Sequence, residues 1–146
     1  KVLAYDKFLK EASIILNFSH EKSVEFNIKI SKFNYLLENS DFISLHVPAQ
    51  KEFIIDKKQF ELMKDGVGII NAARGGVLNE VELISALDSG KVSFAGLDTF
   101  ENEPKPEIKL LMHPNISLTP HIGAATNEAQ DRIGKELADQ ISNILN

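Results

Sequence analysis

The chain has 146 residues, a formal net charge of −5, 43% hydrophobic residues and no cysteine. This balance is that of one ordinary globular domain, and it excludes a disulfide scaffold, a cysteine-based zinc or iron–sulfur site and a cysteine nucleophile. The mild acidity argues against a nucleic-acid partner, and the apolar runs fall far short of the roughly 20 residues that cross a membrane. We therefore expect a cytoplasmic protein, and the opening at Lys1 within an apolar run leads us to expect part of a longer polypeptide.

Short apolar runs alternate with helical patterns along the chain. The predicted strands are Val2–Tyr5, Phe26–Ile30, Phe42–Val47, Val67–Ile70, Val92–Leu97 and Ile116–Leu118. The predicted helices are Phe33–Asn39, Lys57–Lys64, Glu80–Ser89 and Asn127–Leu145. Nearly continuous apolar strands are typical of a parallel sheet that is buried on both faces. The alternation predicts a doubly wound, Rossmann-type α/β fold that is incomplete at its N-terminus.

Residues of the kinds that begin and end helices flank three of the predicted helices. Asp56, Asn79 and Thr126 are candidate N-caps, because their side chains can accept hydrogen bonds from the first free N–H groups of a helix. Glu82 is a candidate capping-box partner of Asn79, and Gly90 marks the end of that helix.

Two segments have less regular patterns. Ala12–Leu16 is predicted as a helix and Asn17–Ser23 as a loop. Phe100–Glu107 contains Pro104 and Pro106 and is predicted as a loop, because proline interrupts both helices and central strands. No linker or repeat divides the chain.

Polar residues follow several of the predicted strands. Asp6 ends the first one, where an acid in a Rossmann-type sheet accepts hydrogen bonds from the adenosine ribose and disfavours a 2′-phosphate. The alternative is that Asp6 only forms a turn. The Gly-x-Gly-x-x-Gly motif that would precede such an acid does not occur in these 146 residues.

Three further polar residues are expected at the same sheet edge. Arg74 follows a buried strand in a glycine-rich run, where its planar fork could hold a carboxylate, or it could be a surface arginine in a turn. Asp98 and His121 end the last two predicted strands. Histidine exchanges protons near neutrality, and a carboxylate beside it would fix one tautomer. The other histidines lack such a setting, and no histidine pair has metal-ligand spacing, so no metal is predicted.

The chain resembles the D-isomer-specific 2-hydroxyacid dehydrogenases, most closely their D-3-phosphoglycerate dehydrogenase branch, over residues 40–146 and residues 1–6. Four motifs occur in the family's order: DFISLHVP at 41–48, INAARGG at 70–76, GLDTFENEP at 96–104 and TPHIGAAT at 119–126. Each motif is moderately specific, and the ordered set is strong.

The resemblance implies NAD as cofactor and a role for each matching residue. Arg74 would bind the substrate carboxylate and carbonyl, His121 would be the general acid/base, and Glu103 would pair with His121. Asp98 would contact the nicotinamide carboxamide and Asp6 the ribose. The remaining cofactor positions are Val47, Pro48, Ala72, Gly123 and Ala124, with Arg74 and His121 also facing the cofactor.

The implied activity is hydride transfer between NAD and a D-2-hydroxy acid, with 3-phosphoglycerate of serine biosynthesis expected as substrate. Lactate or glycerate/glyoxylate enzymes are the alternatives, whereas Glu103 argues against formate dehydrogenases, which usually carry Gln there. A non-catalytic, NAD-sensing corepressor-like module and an inactive oligomerisation fragment are alternatives from other classes. The resemblance also implies a homo-oligomer formed through the cofactor domain. The glycine-rich loop and substrate domain are absent, and the 127–146 helix would lead back to that domain, so we expect the chain alone to be inactive.

Overall fold

The computed structural model describes residues 1–18 and 22–145. Its strands are β1 (Glu11–Phe18), β2 (Lys22–Lys29), β3 (Phe42–Leu45), β4 (Val67–Asn71), β5 (Val92–Leu97) and β6 (Ile116–Leu118). Its helices are α1 (Phe33–Asn39), α2 (Lys57–Leu62), α3 (Glu80–Asp88), α4 (Ile108–Leu111) and α5 (Asn127–Leu145). The short helix α4 was not predicted.

A four-stranded sheet, in the order β3-β4-β5-β6, forms the body of the described part of the chain. All its strand pairs are parallel, which confirms the predicted α/β fold. The helices α2, α3 and α4 each connect one strand to the next strand in the sheet. Right-handed crossovers therefore place these three helices on one face of the sheet. Accordingly α2 contacts α3, and α3 contacts α4. The buried core between sheet and helices includes Ile43, Phe60, Ile69, Leu83, Val92 and Leu110.

The opposite face of the sheet is open in the described residues. Phe42, Ile70 and Phe94 all lie exposed on it. The rings of Phe42 and Phe94, with centroids 6.0 Å apart, lie against Gly68, where an added Cβ would overlap Phe94. The helix α5 is likewise unpacked, because none of its described residues is buried. None of the described helices is both long enough and apolar enough to cross a membrane.

The N-terminal region differs from the prediction. The helix predicted at Ala12–Leu16 is wrong, because these residues belong to β1, which pairs antiparallel with β2. Asn17 pairs with Ser23, so the predicted 17–23 loop is wrong at both ends, and residues 19–21 lie outside the described residues. The register places Ile14 opposite Phe26, so apolar side chains share one face of this hairpin. That two-residue period is the strand pattern, which overrides the short helical pattern.

The first two predicted strands have different partners from those expected. Val2–Tyr5 contributes only a single parallel bridge, between Ala4 and Ile30. Phe26–Ile30 lies mainly in β2, which belongs to the hairpin rather than to the parallel sheet. An apolar run predicts extended structure, but its pairing partner depends on contacts that are distant in sequence.

The predicted helix ends are largely confirmed. The Asn79 side chain accepts hydrogen bonds from the N–H groups of Val81 and Glu82, and Thr126 Oγ1 accepts one from Ala129. Asp56 forms a capping box with Gln59. The capping-box role of Glu82 is wrong, because the Asn79 N–H donates to the Ile55 carbonyl instead.

Substituting Gly75 tests how the loop after β4 is placed. An added Cβ at Gly75 would overlap the Phe100 carbonyl oxygen, so Gly75→Ala should lower the free energy of unfolding by about 1–3 kcal/mol. Gly96→Ala is the control, since its Cβ would make only ordinary contact with Ile70, at 3.6 Å. Urea denaturation measures both variants, and equal stability of the two would contradict the close approach of Gly75 to Phe100.

Candidate active site

The carboxyl ends of the parallel strands bring most of the predicted site residues to one edge of the sheet. Because β3, β4, β5 and β6 are neighbours, residues that follow them lie side by side. In strand order these are Val47 and Pro48, then Ala72 and Arg74, then Asp98, then His121, Gly123 and Ala124. Ligands of open α/β sheets bind at such an edge.

The Asp98 carboxylate joins β5 to the loop that follows β6. Its Oδ1 accepts hydrogen bonds from Thr119 Oγ1 at 2.6 Å and from the Ile122 N–H at 2.9 Å. Its Oδ2 accepts one from the Gly123 N–H at 2.9 Å. Burial raises the pKa of Asp98, but these bonds outweigh it and hold the pKa below its ordinary value. Asp98 is therefore a buried anion that fixes the loop carrying His121.

His121 forms a hydrogen-bonded pair with Glu103, which lies in the loop after β5. His121 Nδ1 lies 2.8 Å from Glu103 Oε2, and the Phe100 N–H donates to Glu103 Oε1 at 2.9 Å. The hydrogen bond with His121, followed by that from Phe100, lowers the pKa of Glu103, so this carboxylate is ionised at neutral pH. An ionised partner assigns the proton to Nδ1 and leaves Nε2 to exchange a proton with a ligand.

The backbone of His121 has the left-handed conformation, with φ of 55°. Residues other than glycine rarely adopt this backbone conformation, and those that do cluster at functional sites. Beside the pair lies a cleft of about 410 Å³, with mostly apolar walls that include Phe100, Pro104, Leu111 and Leu118. The site thus combines a histidine that can exchange protons, hydrogen-bonded to Glu103, with a neighbouring cleft.

Arg74 reaches the same edge but does not contact the pair. Its guanidinium donates one hydrogen bond, to the Ala73 carbonyl at 2.6 Å, within the described part of the chain. The buried Asn71 holds the loop, since its Nδ2 donates to the Arg74 carbonyl and its Oδ1 accepts from the Ala73 N–H. The bond uses one of the five N–H donors of the guanidinium, so the others remain for a ligand.

Asp6 forms a turn, as in the alternative interpretation from sequence. Its Oδ1 accepts hydrogen bonds from the N–H groups of Phe8 at 2.7 Å and Leu9 at 3.0 Å. Within residues 1–18 and 22–145, Oδ2 accepts no hydrogen bond, so this oxygen is available to a ligand hydroxyl. Turn formation and ligand binding are therefore compatible at Asp6.

Gly123 lies close to the second oxygen of Asp98. A Cβ at this position would lie 3.2 Å from Asp98 Oδ2, so a side chain would crowd the oxygen. A carboxylate oxygen can accept more than the single bond that Oδ2 receives from the Gly123 N–H. The residues present therefore fit a ligand that offers an amide donor beside Asp98, as the nicotinamide carboxamide does, and hydroxyl donors beside Asp6.

The other described histidines have different hydrogen-bond or ion-pair partners. His46 Nε2 lies 2.8 Å from Ser44 Oγ, and His113 lies 3.4 Å from Asp88, whereas His20 is outside the described residues. No group of three His, Asp or Glu side chains that could hold a metal ion occurs in residues 1–18 and 22–145.

Sequence reasoning missed several residues that organise the site. Thr119 lies within a recognised motif, but only the structure shows its bond to Asp98. Glu80 and Glu101 exchange hydrogen bonds, since the N–H of each donates to Oε1 of the other at 2.7 Å. The sequence marked Glu80 only as the first residue of a helix. The polar Asn71 at the end of an apolar strand was the one signal that could have indicated a buried anchor.

Comparison with known proteins gives consistent matches. Residues 1–123 match the family model "D-isomer specific 2-hydroxyacid dehydrogenase, NAD binding domain". The chain is 45% identical to a D-3-phosphoglycerate dehydrogenase of Archaeoglobus fulgidus, over 98% of this chain and 26% of the relative. It is 42% identical to a hydroxypyruvate reductase of Thermotoga maritima, over 97% of this chain and 44% of the relative. The chain thus spans less than half the length of either relative.

Solved structures give the same family. A glyoxylate reductase from Paecilomyes thermophila superposes with a TM-score of 0.69 and 44% identity, over 73% of this chain and 33% of that chain. A D-lactate dehydrogenase from Aquifex aeolicus, complexed with NAD and lactic acid, superposes with a TM-score of 0.66 and 34% identity, over 81% of this chain and 41% of that chain.

The acid sensitivity of the fold tests the role of Asp98. Its pKa lies below the ordinary value of 3.8 in the folded state, so the unfolded chain binds more protons. The stability that Asp98 contributes is therefore present above pH 3.8 and lost as the pH falls through the folded pKa. Asp98→Asn should lower the free energy of unfolding at pH 7 by roughly 1–3 kcal/mol and lose less stability on acidification.

Urea denaturation between pH 3 and 7 measures both effects. Asp65→Asn is the matched control, because Asp65 is an exposed carboxylate paired only with Lys91 at the surface. Identical pH profiles for Asp98→Asn and the unmodified chain would contradict the anchoring role of Asp98.

Proposed function

Since this chain belongs to the D-isomer specific 2-hydroxyacid dehydrogenase family, within its NAD binding domain, we propose that it is part of an enzyme that transfers hydride between NAD and a D-2-hydroxy acid. The observation that carries the proposal is the pair of His121 Nδ1 and Glu103 Oε2, 2.8 Å apart at the carboxyl edge of the sheet. The buried Asp98 carboxylate, which holds the loop that carries His121, lies at the same edge and supports the proposal.

His121 is the proposed general acid/base. Glu103 holds the Nδ1 proton, so Nε2 removes the hydroxyl proton of the 2-hydroxy acid during oxidation and returns it during reduction. NAD, when bound, supplies the hydride chemistry. Glu103 stays ionised and stabilises the imidazolium that proton uptake creates, as its lowered pKa supports.

Arg74 is the proposed substrate-binding residue. Its planar guanidinium can hold the 2-carboxylate through two parallel hydrogen bonds and polarise the developing carbonyl. Its place after β4, next to the strand that carries Asp98, supports this role. The guanidinium N–H donors that the Ala73 carbonyl does not use would bind the substrate.

Most of the proposed cofactor positions lie at the sheet edge, whereas Asp6 follows a segment outside the four-stranded sheet. Asp98 Oδ2 would accept a hydrogen bond from the nicotinamide carboxamide. Asp6 Oδ2, which is free of the turn, would accept hydrogen bonds from the ribose hydroxyls. The other proposed cofactor contacts are Val47, Pro48, Ala72, Gly123 and Ala124, with Arg74 and His121 bordering the nicotinamide.

We favour 3-phosphoglycerate as substrate, and thus serine biosynthesis, because D-3-phosphoglycerate dehydrogenases recur among the similar curated proteins. A hydroxypyruvate or glyoxylate substrate is the second candidate, supported by the relative from Thermotoga maritima and the superposed glyoxylate reductase. The basic residues that would bind a phosphate belong to the substrate domain in this proposal.

We also propose that residues 1–146 form only part of a dinucleotide-binding domain. The glycine-rich loop and substrate domain would come from sequence outside these residues, and α5 would lead back toward the substrate domain. The complete enzyme would be a cytoplasmic homo-oligomer joined through its cofactor domain.

Calorimetry with NAD and NADP tests the cofactor assignment. We expect NAD to bind the chain more tightly than NADP, because Asp6 repels the 2′-phosphate. Asp6→Asn keeps an Oδ1 acceptor for the turn but removes the charge, so the preference for NAD should fall. Unchanged preference would exclude Asp6 as the discriminating acid. Absence of NAD binding would mean that the outside glycine-rich loop is required.

Replacement of His121 tests the chemistry. His121→Ala in the complete enzyme should lower kcat by about 10²–10⁴-fold, the usual contribution of a general base. His113→Ala serves as control, because His113 pairs with Asp88 instead of a site residue. Steady-state turnover of hydroxy acid with NAD measures both, and an unchanged kcat for His121→Ala would remove it from the mechanism.

A further inference from the structure

Glu80 and Glu101, here called the glutamate clasp, join the start of α3 to the loop after β5. The Glu80 N–H donates to Glu101 Oε1 at 2.7 Å, and the Glu101 N–H donates to Glu80 Oε1 at 2.7 Å. Each carboxylate thus accepts the backbone N–H of the other residue. The Glu80 residue is only 5% exposed, so the clasp lies at the edge of the core.

The clasp is connected along the chain to the pair of Glu103 and His121. Glu101 follows Phe100, whose N–H donates to Glu103 Oε1, and the other oxygen of Glu103 holds His121 Nδ1. Phe100 is itself pressed against the Gly75 backbone, since no Cβ fits between them. The segment from Phe100 to Glu103 is therefore fixed at its start by Gly75 and by the clasp.

Helix stability alone does not explain this arrangement. Burial, with the nearby charges of Glu101, Glu103 and Glu107, raises the pKa of Glu80 although the Glu101 N–H bond lowers it, so ionising this buried carboxyl costs free energy. An uncharged residue would avoid that cost at the same helix position. The capping of α3 is already supplied by Asn79, which accepts two of its N–H groups.

We propose that Glu80 and Glu101 are positioning residues, which hold the 100–103 segment so that Glu103 orients His121 for proton transfer. The inference rests on the proposed function, because it concerns the alignment of the same acid/base pair. The α3 helix thereby acts as the rigid support of Glu103. A loosened segment would let the Glu103 carboxylate move away from Nδ1, so His121 would lose its fixed tautomer and ring orientation.

Four variants separate positioning from stability. Glu80→Ala removes the acceptor of the Glu101 N–H, whereas Glu80→Gln keeps an acceptor oxygen in the same place. Asn79→Ala weakens the start of the same helix without touching the clasp. Glu101→Ala opens the clasp from its exposed side, and so provides the test if Glu80→Ala does not fold.

In the complete enzyme, Glu80→Ala or Glu101→Ala should lower kcat by roughly 10–100-fold, the order of effect expected when a catalytic group is misplaced by about 1 Å. The KM for NAD should stay within about twofold, because no cofactor contact changes. Glu80→Gln should restore kcat, and Asn79→Ala should keep it.

Proton NMR provides a readout that does not depend on turnover. The Nδ1–H of His121 should give a downfield resonance in the unmodified protein and Glu80→Gln, and lose it in the clasp-opened variants. Retention of kcat and of the resonance in a folded Glu80→Ala or Glu101→Ala protein would overturn the proposal. Equal loss of kcat in Asn79→Ala would overturn it too, since helix stability would then explain the effect. An unmodified enzyme without dehydrogenase activity would defeat the proposed function, whereas the NMR comparison would still decide the positioning role.

Discussion

Three hydrogen bonds converge on the Asp98 carboxylate, from Thr119 Oγ1 and from the backbone of Ile122 and Gly123. They connect the end of β5 to the loop after β6. His121 therefore lies between Thr119 and Ile122, which both donate to the same carboxylate. The strained φ of 55° at His121 persists because its neighbours on both sides are fixed. Because the anion is buried, it must keep these donors, and the loop cannot relax without exposing or neutralising it.

Contacts between the loops after β4 and β5 also stabilise this edge of the sheet. Asn71 anchors the loop that carries Arg74, and Gly75 lets that loop touch the Phe100 carbonyl. Consequently the segment before Glu103 is located by β4, β5 and α3 together. The catalytic geometry proposed for this chain thus depends on contacts among neighbouring strand ends, which a parallel sheet brings together by its topology.

Two apolar surfaces set the described chain apart from a self-contained Rossmann domain. The sheet face around Phe42 and Phe94 is exposed, and so are the apolar α5 side chains of Ile133, Leu137 and Ile141. Parallel sheets are normally covered on both faces, because their strands are apolar throughout. The chain also spans only 26% to 44% of the length of the two curated relatives described. The proposal of a partial cofactor domain accounts for both observations.

The sequence by itself determined the parallel strands β3 to β6, the helices α1, α2, α3 and α5, the N-caps of the last three, and the family. These features depend on local periodicity and on residue order within motifs. It also predicted that Arg74, Asp98 and His121 share one edge, since strand ends lie together, and the family resemblance paired Glu103 with His121. It failed at Ala12–Leu16, where an apolar segment that suits a helix forms a strand once β2 is available as partner. Only the tertiary structure decided the Thr119–Asp98 bond, the glutamate clasp and the orientation of Arg74 toward Ala73. These features join residues that are distant in sequence, or depend on a side-chain direction, and neither periodicity nor composition carries that information.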